Sequence, residues 1–506
     1  MVKWTNQQIK AIKTLNTNIL VSAAAGSGKT ATLIERIINI LSDEKKNVQC
    51  ENLLVTTFTN AAAGEIRERI RRSLREKVQD NPSDLYIYKQ YRNIDRATIS
   101  TLHSFCSEVI RQNAALINID PGFSVADKTV ADKFLLQAIN TVYEQNLSRQ
   151  DADFNRLLET FGYGKNFNAL TDLITSVLKT VKSYPDYHEW LKESAEKTVI
   201  KDNIFSSAYG KQIYDHIPEK TDILKRYIDN VQYEIRNTPE GEHYKATLEN
   251  DLKIIEGIED TLKYKDWDKL KNCLDEIRFP NLPQKKKDFE EETVNAIKAY
   301  RTKLKKAVSS LAALFYDYSD NIIKDCRFMQ RPIKKFVETV LQADDVYSKM
   351  KVKAKLIDYA DMEHMALRCL KSGAEEIYRE KYKYILIDEY QDFNYIQEEI
   401  INKISRGDNV FAVGDLKQSI YRFRNAQTAI FRDKSQEYED DPSLGTKLTL
   451  SYNFRSRNAI LKYVNDIFTD IMTEQLGEVE YSEDEELKYG SKQYENETDE
   501  SYRPTV

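Results

Sequence analysis

Two short stretches of this sequence hold residues that could do phosphate chemistry together. The first is SAAAGSGKT, residues 22–30. It follows an apolar run and precedes an amphipathic one, TATLIERIINIL, which predicts strand, loop and helix in that order. Gly26 and Gly28 let backbone N–H groups turn inward around a phosphate, and the helix N-terminus adds partial positive charge. Ala23, Ala24, Ala25, Gly26, Ser27 and Gly28 form the cradle, Lys29 neutralises β- and γ-phosphate charge, and Thr30 offers its hydroxyl to Mg²⁺. Ala23 stands where the strict pattern has glycine, and a residue that small still permits the turn. The second stretch is YILIDEYQDFNYIQEEI, residues 384–400, an apolar run that meets Asp388, Glu389 and Asp392. Adjacent carboxylates at the end of a buried strand are costly unless a cation meets them. Alone, such acids read as a solvated turn. In a chain that also has a phosphate loop, Asp388 becomes the carboxylate on the metal side and Glu389 the group that polarises the attacking water. ATP and Mg²⁺ are the expected ligands.

The elements that must position these residues can be read from the apolar pattern. β-branched runs occur at 18–22, 53–58, 97–101, 384–388, 410–415 and 447–452, with helix-like segments between most of them. Such alternation predicts an α/β fold on a parallel sheet. Between about 115 and 360 the chain is charged, rich in tyrosine and helix-periodic. The expected organisation is a P-loop NTPase domain over 1–114 and 356–446, interrupted by an all-helical insertion over 115–355. Residues 447–506 open a second domain, and from 471 the chain carries eleven Asp/Glu against three Lys/Arg, as in a disordered end or a domain cut partway.

The 506 residues suffice for several cores; 41% are hydrophobic and 31% charged. The N-terminus has no apolar signal-peptide core, and no run of 18 apolar residues could span a membrane. None of the five cysteines forms a C-x-x-C pair, so no zinc or iron–sulfur site is indicated, and a reducing cytoplasm is expected. The net charge of −6 argues against a wholesale basic coat but not against local patches; IRERIRRSLREK (66–77), KKK (285–287) and KMKVKAK (349–355) are basic clusters, though a charge run is more often a solvated helix face.

Aromatic residues gather at the predicted strand ends. Phe58 and Asn60 follow the second run, His103 and Phe105 the third, and Gln418, Tyr421, Arg422, Phe423 and Arg424 the fifth. Aromatics interleaved with arginine make a stacking platform for unpaired bases, so single-stranded nucleic acid is the expected polymer partner.

Taken in chain order, WTNQQIKAI, AAAGSGKT, FTNAAAGEI, TLHSF, IDEYQDFN, VGDLKQSIYRFR and YNFRSR resemble the motifs of superfamily-1 helicases of the UvrD/Rep/PcrA type. DEYQDFNYIQEEI, IDYADMEHMALRCL and GFSVADKTVADKFLLQ further resemble the A subunits of bacterial ATP-dependent helicase–nucleases, the AddA/RexA group. The resemblance implies RecA-like domains and an ATP-driven 3′–5′ DNA motor that processes double-strand breaks beside an AddB/RexB-like subunit, on single-stranded and duplex-end DNA. It implies that Gln8 reads adenine and Phe454 stacks on it, and that Gln418 and Arg455 reach the γ-phosphate. It also implies that Asp388 supports the metal, that Glu389 is the catalytic base, and that Phe58, Asn60, His103, Tyr421, Phe423 and Arg424 line the strand track. Phe393 and Gly64 depart from the family's usual residues, without affecting the nucleotide site. The family's later motor motifs and nuclease residues do not occur before Val506, so an N-terminal portion of a longer protein is expected. A repair helicase without a nuclease partner, or a fragment that binds ATP and DNA without turnover, stays open as an alternative.

Overall fold

All six β-branched runs form strands of one parallel sheet. In chain order the strands are β1 Ile19–Ala23, β2 Leu53–Thr57, β3 Thr98–Thr101, β4 Ser124–Val125, β5 Leu356–Ile357, β6 Tyr384–Ile387, β7 Val410–Gly414, β8 Thr446–Leu450, β9 Tyr452–Asn453 and β10 Lys488–Tyr489. The main sheet has the order β3-β2-β6-β7-β1-β8, and β4 with β5 and β9 with β10 make two short parallel pairs. β1 lies between β7, with Leu20 opposite Ala412, and β8, with Leu20 opposite Lys447. The computed structural model describes residues 4–161, 167–200, 203–236, 238–473, 477, 479, 481–483 and 485–491. Of the acidic stretch from 471, expected to be a disordered end or a domain cut partway, residues 474–476, 478, 480, 484 and 492–506 lie outside them, and the described part includes β10.

The strands read as continuous apolar runs because helices cover both faces of the sheet. Alternate residues feed opposite cores. Leu20, Leu54, Ile385, Ile387 and Ala412 join Phe105, Val109, Ile396 and Ile400 on one side. Ile19, Val21, Leu53, Val55, Leu386, Phe411 and Val413 join Leu33, Ile37, Ile66 and Ile70 on the other. Helix α1, Asn6–Lys13, starts at a capping box in which the Thr5 hydroxyl accepts from Gln8 N and the Gln8 amide oxygen accepts from Thr5 N. Its far end is held from below. Arg36, buried in α2 (Lys29–Leu41), donates through Nη1 to the carbonyls of Ala11 at 2.7 Å and Thr14 at 2.6 Å, and its guanidinium lies 4.6 Å from the centre of the Phe411 ring. Burial lowers its pKa to about 10, yet it stays charged at neutral pH. α3, Asn60–Asp80, buries Ala63, Ile66, Ile70 and Leu74 and turns its basic face outward.

The described residues divide into two units, one of Met1–Ile139, Thr175–Tyr187 and Asp344–Val506, the other of Asn140–Ile174 and His188–Ala343. The first holds the sheet. The second is helical, with an apolar core that includes Ile228, Tyr244, Leu248, Trp267, Leu270 and Phe315. No helix among the described residues is long and apolar enough to cross a membrane. The basic cluster at 349–355 is split: Lys351 is 2% exposed and bonds the Asp358 carboxylate at 2.6 Å, while Lys349 and Lys355 are exposed and pair with Asp345 and Asp120.

Inside the helical unit, Arg301 grips Asp251 through two bonds, Nε to Oδ2 at 2.6 Å and Nη2 to Oδ1 at 2.9 Å, and both residues are buried. Removing one partner leaves an uncompensated buried charge. Asp251→Ala should therefore destabilise this unit by about 3–5 kcal/mol, read as a lower thermal midpoint by calorimetry. An unchanged midpoint would show that Arg301 finds solvent without the carboxylate.

Candidate functional site

The loop after β1 wraps a cavity at the carboxyl edge of the sheet. Gly26 and Gly28 hold φ values of 69° and 82°, the left-handed region that glycine adopts without strain. A Cβ on Gly26 would come within 2.7 Å of Asn453 Nδ2, so the loop backbone is pressed against the end of β9. Asn453 makes that contact specific. Its Nδ2 donates to Ala25 O at 2.8 Å, and its Oδ1 accepts from the N–H groups of Arg455 and Ser456, each at 2.8 Å. Phe454 N donates to Gly26 O at 2.9 Å. These bonds carry Arg455 to the rim of the cavity that Gly26, Gly28, Lys29 and Thr30 also line. Asn453 stands in the YNFRSR motif as an ordinary polar residue, and its work is to join two segments that are remote in the chain.

At the end of β6 the acids converge. Asp388 N continues the ladder by donating to Thr56 O at 2.9 Å, and the Asp388 side chain is buried. Glu389 sits at φ 55°, a strained position for a residue with a Cβ and one often found at functional sites. Its Oε2 lies 3.7 Å from Lys29 Nζ and accepts from Gln391 Nε2 at 2.8 Å. Gln391 is in turn fixed by Asp415, whose N–H donates to Gln391 Oε1 at 3.0 Å, and Gln418 Nε2 donates to Asp415 Oδ2 at 2.7 Å. Burial, then the negative Glu389 beside it, raises the Asp388 pKa to about 6, with Lys29 partly offsetting the rise. Asp392 is raised to about 6 by the same causes. The three carboxylates thus face one nearby lysine.

The residues present fit a Mg²⁺–nucleotide. Ser27 Oγ, Lys29 Nζ and Asp392 Oδ1 are buried without hydrogen-bond partners, and all three residues border the same cavity of about 620 Å³. Among the described residues no cluster of three His, Cys, Asp or Glu side chains forms a cage for a metal ion. A cation here would share its shell between Asp388, Thr30 and phosphate oxygens, the usual manner of Mg²⁺. Ala23 ends β1 in the core, and Ala24 N donates to Leu450 O at 3.0 Å. Gln8 and Phe454 border a neighbouring cavity together with Ser27. The Gln8 amide already works within the fold, since its Nε2 donates to Ser27 O at 3.0 Å.

Beside this cavity lies the aromatic edge. Phe58 and Tyr421 pack with ring centres 4.4 Å apart, and Tyr421 and Phe423 lie 5.8 Å apart. The Arg424 guanidinium stands 5.1 Å, 5.4 Å and 5.8 Å from the rings of Phe58, Tyr421 and Phe423. Phe423 is 76% exposed, so this ring is not core. Phe105, by contrast, is buried against Tyr378 and Tyr382. Asn60 opens α3 behind the Thr59 cap, and His103 Nε2 lies 3.2 Å from buried Glu363, which also accepts from Gln397 at 2.6 Å. Phe58, Asn60, His103 and Arg424 border one groove of about 860 Å³. Phe58, Asp388, Glu389 and Asp392 border both groove and nucleotide cavity, so the two share a wall. Tyr359, exposed and edge-on to His103 at 5.0 Å, lines the same groove and was not singled out by the sequence reading; its signal was its place in the IDYADMEHM phrase.

Comparison with known proteins bears on this arrangement. Residues 4–439 match the family model described as the UvrD/REP helicase N-terminal domain. Similar relatives include the A subunit of the ATP-dependent helicase/nuclease of Acetivibrio thermocellus, 36% identical over 97% of this chain and 41% of the relative. The same-named subunits of Clostridium beijerinckii and of a Thermoanaerobacter species are 35% and 37% identical, over 98% and 97% of this chain and 41% of each relative. The chain therefore spans about two fifths of the length of the curated relatives it matches.

The raised pKa values have a stability consequence. A carboxyl held at about 6 in the fold, above its ordinary 3.8, binds its proton more tightly folded than unfolded. Stability is then lost as pH rises from about 4 and the loss is complete above about 6. Without nucleotide or divalent cation, Asp388→Asn should raise the unfolding free energy at pH 8 by on the order of 1–3 kcal/mol, with the gain vanishing toward pH 4. Denaturant titrations at the two pH values check this; a loss of stability at pH 8 would contradict it.

Proposed function

The chain belongs to the UvrD/REP helicase family, and from that premise we propose that it is the ATP- and single-strand-binding part of an ATP-driven DNA helicase. We further propose that the parent is the A subunit of a helicase–nuclease that moves 3′–5′ and processes double-strand breaks in the cytoplasm. Its partners are then duplex-end and single-stranded DNA and a second, AddB/RexB-like subunit. One observation carries the reading: Lys29, Asp388, Glu389, Gln418 and Arg455 surround a single cavity whose wall is shared with the aromatic edge.

Each residue has a task its position supports. Lys29 and the loop N–H groups hold phosphate, and Thr30 with Asp388 holds Mg²⁺. The cation neutralises developing phosphate charge when bound. Gln391 occupies one oxygen of Glu389, which leaves the carboxylate oriented to take the proton of an attacking water. Gln418 and Arg455 stand on the rim for the γ-phosphate, Arg455 as a cationic stabiliser of transferring charge. Phe454 and Gln8 border the cavity proposed for adenine. Phe58, Tyr421 and Phe423 stack bases while Arg424 neutralises their phosphates; Asn60 and His103 continue the track.

Lys29→Ala should weaken Mg²⁺–ATP binding at least tenfold by calorimetry without changing the thermal midpoint of the metal-free chain by more than a few degrees; unchanged affinity removes the phosphate role. Glu389→Gln should retain nucleotide and abolish single-strand-stimulated ATP hydrolysis. Phe423→Ala should lose about 1–3 kcal/mol of oligothymidylate affinity. Full affinity in that variant would move the bases off this ring.

A further inference from the structure

Lys417 has no part in the assignments above, yet it is buried among carboxylates at a junction. Its side chain is 8% exposed, and Nζ lies 3.1 Å from Asp415 Oδ1 and bonds Glu485. Burial alone would lower its pKa, but Asp415 and Glu485 together hold it above the ordinary lysine value. Such a buried charged trio is weak support for stability, since apolar side chains of similar volume often do as well. Its placement is more informative.

On one side, Asp415 fixes Gln418 through Oδ2 at 2.7 Å and, through its N–H, the Gln391 that holds Glu389. Tyr421, Phe423 and Arg424 follow in the same loop. On the other side, Glu485 begins a segment laid along the nucleotide end of the molecule. Lys488 N donates to Ser451 O at 2.9 Å and Gly490 N to Asn453 O at 3.0 Å. Gly490 packs against the Phe454 ring, where a Cβ would come within 2.7 Å of a ring carbon. A continuous set of bonds therefore runs from the wall behind Phe454, through Glu485, Lys417 and Asp415, to Gln418 and Glu389.

We propose that Lys417 is a positioning residue that couples occupation of the nucleotide cavity to occupation of the aromatic edge, with Glu485 and Asp415 as its two contacts. The inference rests on the ATP and single-strand reading above. A shift of the Phe454 wall moves Glu485, and Lys417 passes the shift to the loop that holds Gln418 and the stacking rings. The coupling is reciprocal: bound strand alters nucleotide affinity by the factor with which nucleotide alters strand affinity.

The test measures the affinity of this chain for a Mg²⁺-bound, non-hydrolysable ATP analogue with and without saturating oligothymidylate. The wild type is expected to show at least about a fivefold change. In Lys417→Met the change should fall to within about twofold of unity while each ligand alone binds within about threefold of wild type. Lys417→Arg, which keeps the charge, should retain the coupling. Glu485→Gln should lose it, and the double variant Lys417→Met/Glu485→Gln should lose no more than either single one. Full coupling in both Lys417→Met and Glu485→Gln overturns the proposal. So does a wild type that binds both ligands independently. A wild type that binds neither ligand would overturn the functional reading itself, which the single-ligand titrations report directly.

Discussion

Asp388, Glu389 and Asp392 meet Lys29 at the carboxyl end of a sheet sealed by helices on both faces, so their charge can be answered only in the cavity above the strands. Most of the local architecture follows from that constraint. The loop must bring lysine without bringing bulk, hence Gly26 and Gly28 in left-handed conformations. Glu389 must be oriented, hence Gln391, which donates to its carboxylate and is itself held by the Asp415 N–H. A second cation must be able to approach, and Asn453 holds Arg455 at the rim by bonding its backbone rather than its guanidinium. Arg455 lines the cavity from that rim.

The shared wall gives this charge balance a second reader. Phe58 faces the nucleotide cavity and also packs on Tyr421, while the acids border the groove as well as the cavity. The cavity and the groove are therefore separated by these shared side chains. The chain of bonds through Lys417 is a longer route between the same two places, passing behind the cavity rather than through its wall.

How much of this was legible beforehand depended on whether a residue's role was local. Strands β1, β2, β3, β6, β7 and β8 were visible because burial on both faces demands unbroken β-branched runs, and each was found within a residue or two of its expected limits. The phosphate loop was visible because its turn needs glycine at set spacing. Asn453, Gln391 and Asp415 were not assigned roles, since each is an ordinary polar residue whose partner lies in another motif. Lys417 was given no role either, since one of its two partners, Glu485, lies 68 residues downstream. The cluster at 349–355 is solvated at Lys349 and Lys355, as its charge run suggests, whereas nothing in a run of lysines marks the acids, Asp358 and Asp361, that stand beside buried Lys351. Gln8 was read by family likeness as an adenine contact; its capping and loop bonds could not be seen without the loop beside it.

The position of β1 has a further consequence, in the order in which the chain can fold. Both neighbours of this strand come from far downstream, β7 from residue 410 and β8 from residue 446. At about 5–20 residues per second on the ribosome, the strand emerges roughly 20–80 s before its partners exist. β2 and β3 can pair at once, being close in sequence and adjacent in the sheet, but β1 leads into the phosphate loop with both edges open. An apolar strand with two free edges is a template for pairing with other chains. The helical unit, with its own core, is made during that interval. The strand that bears the loop is thus made before either of its partners, and of the inner strands of the sheet it is the last to gain both neighbours.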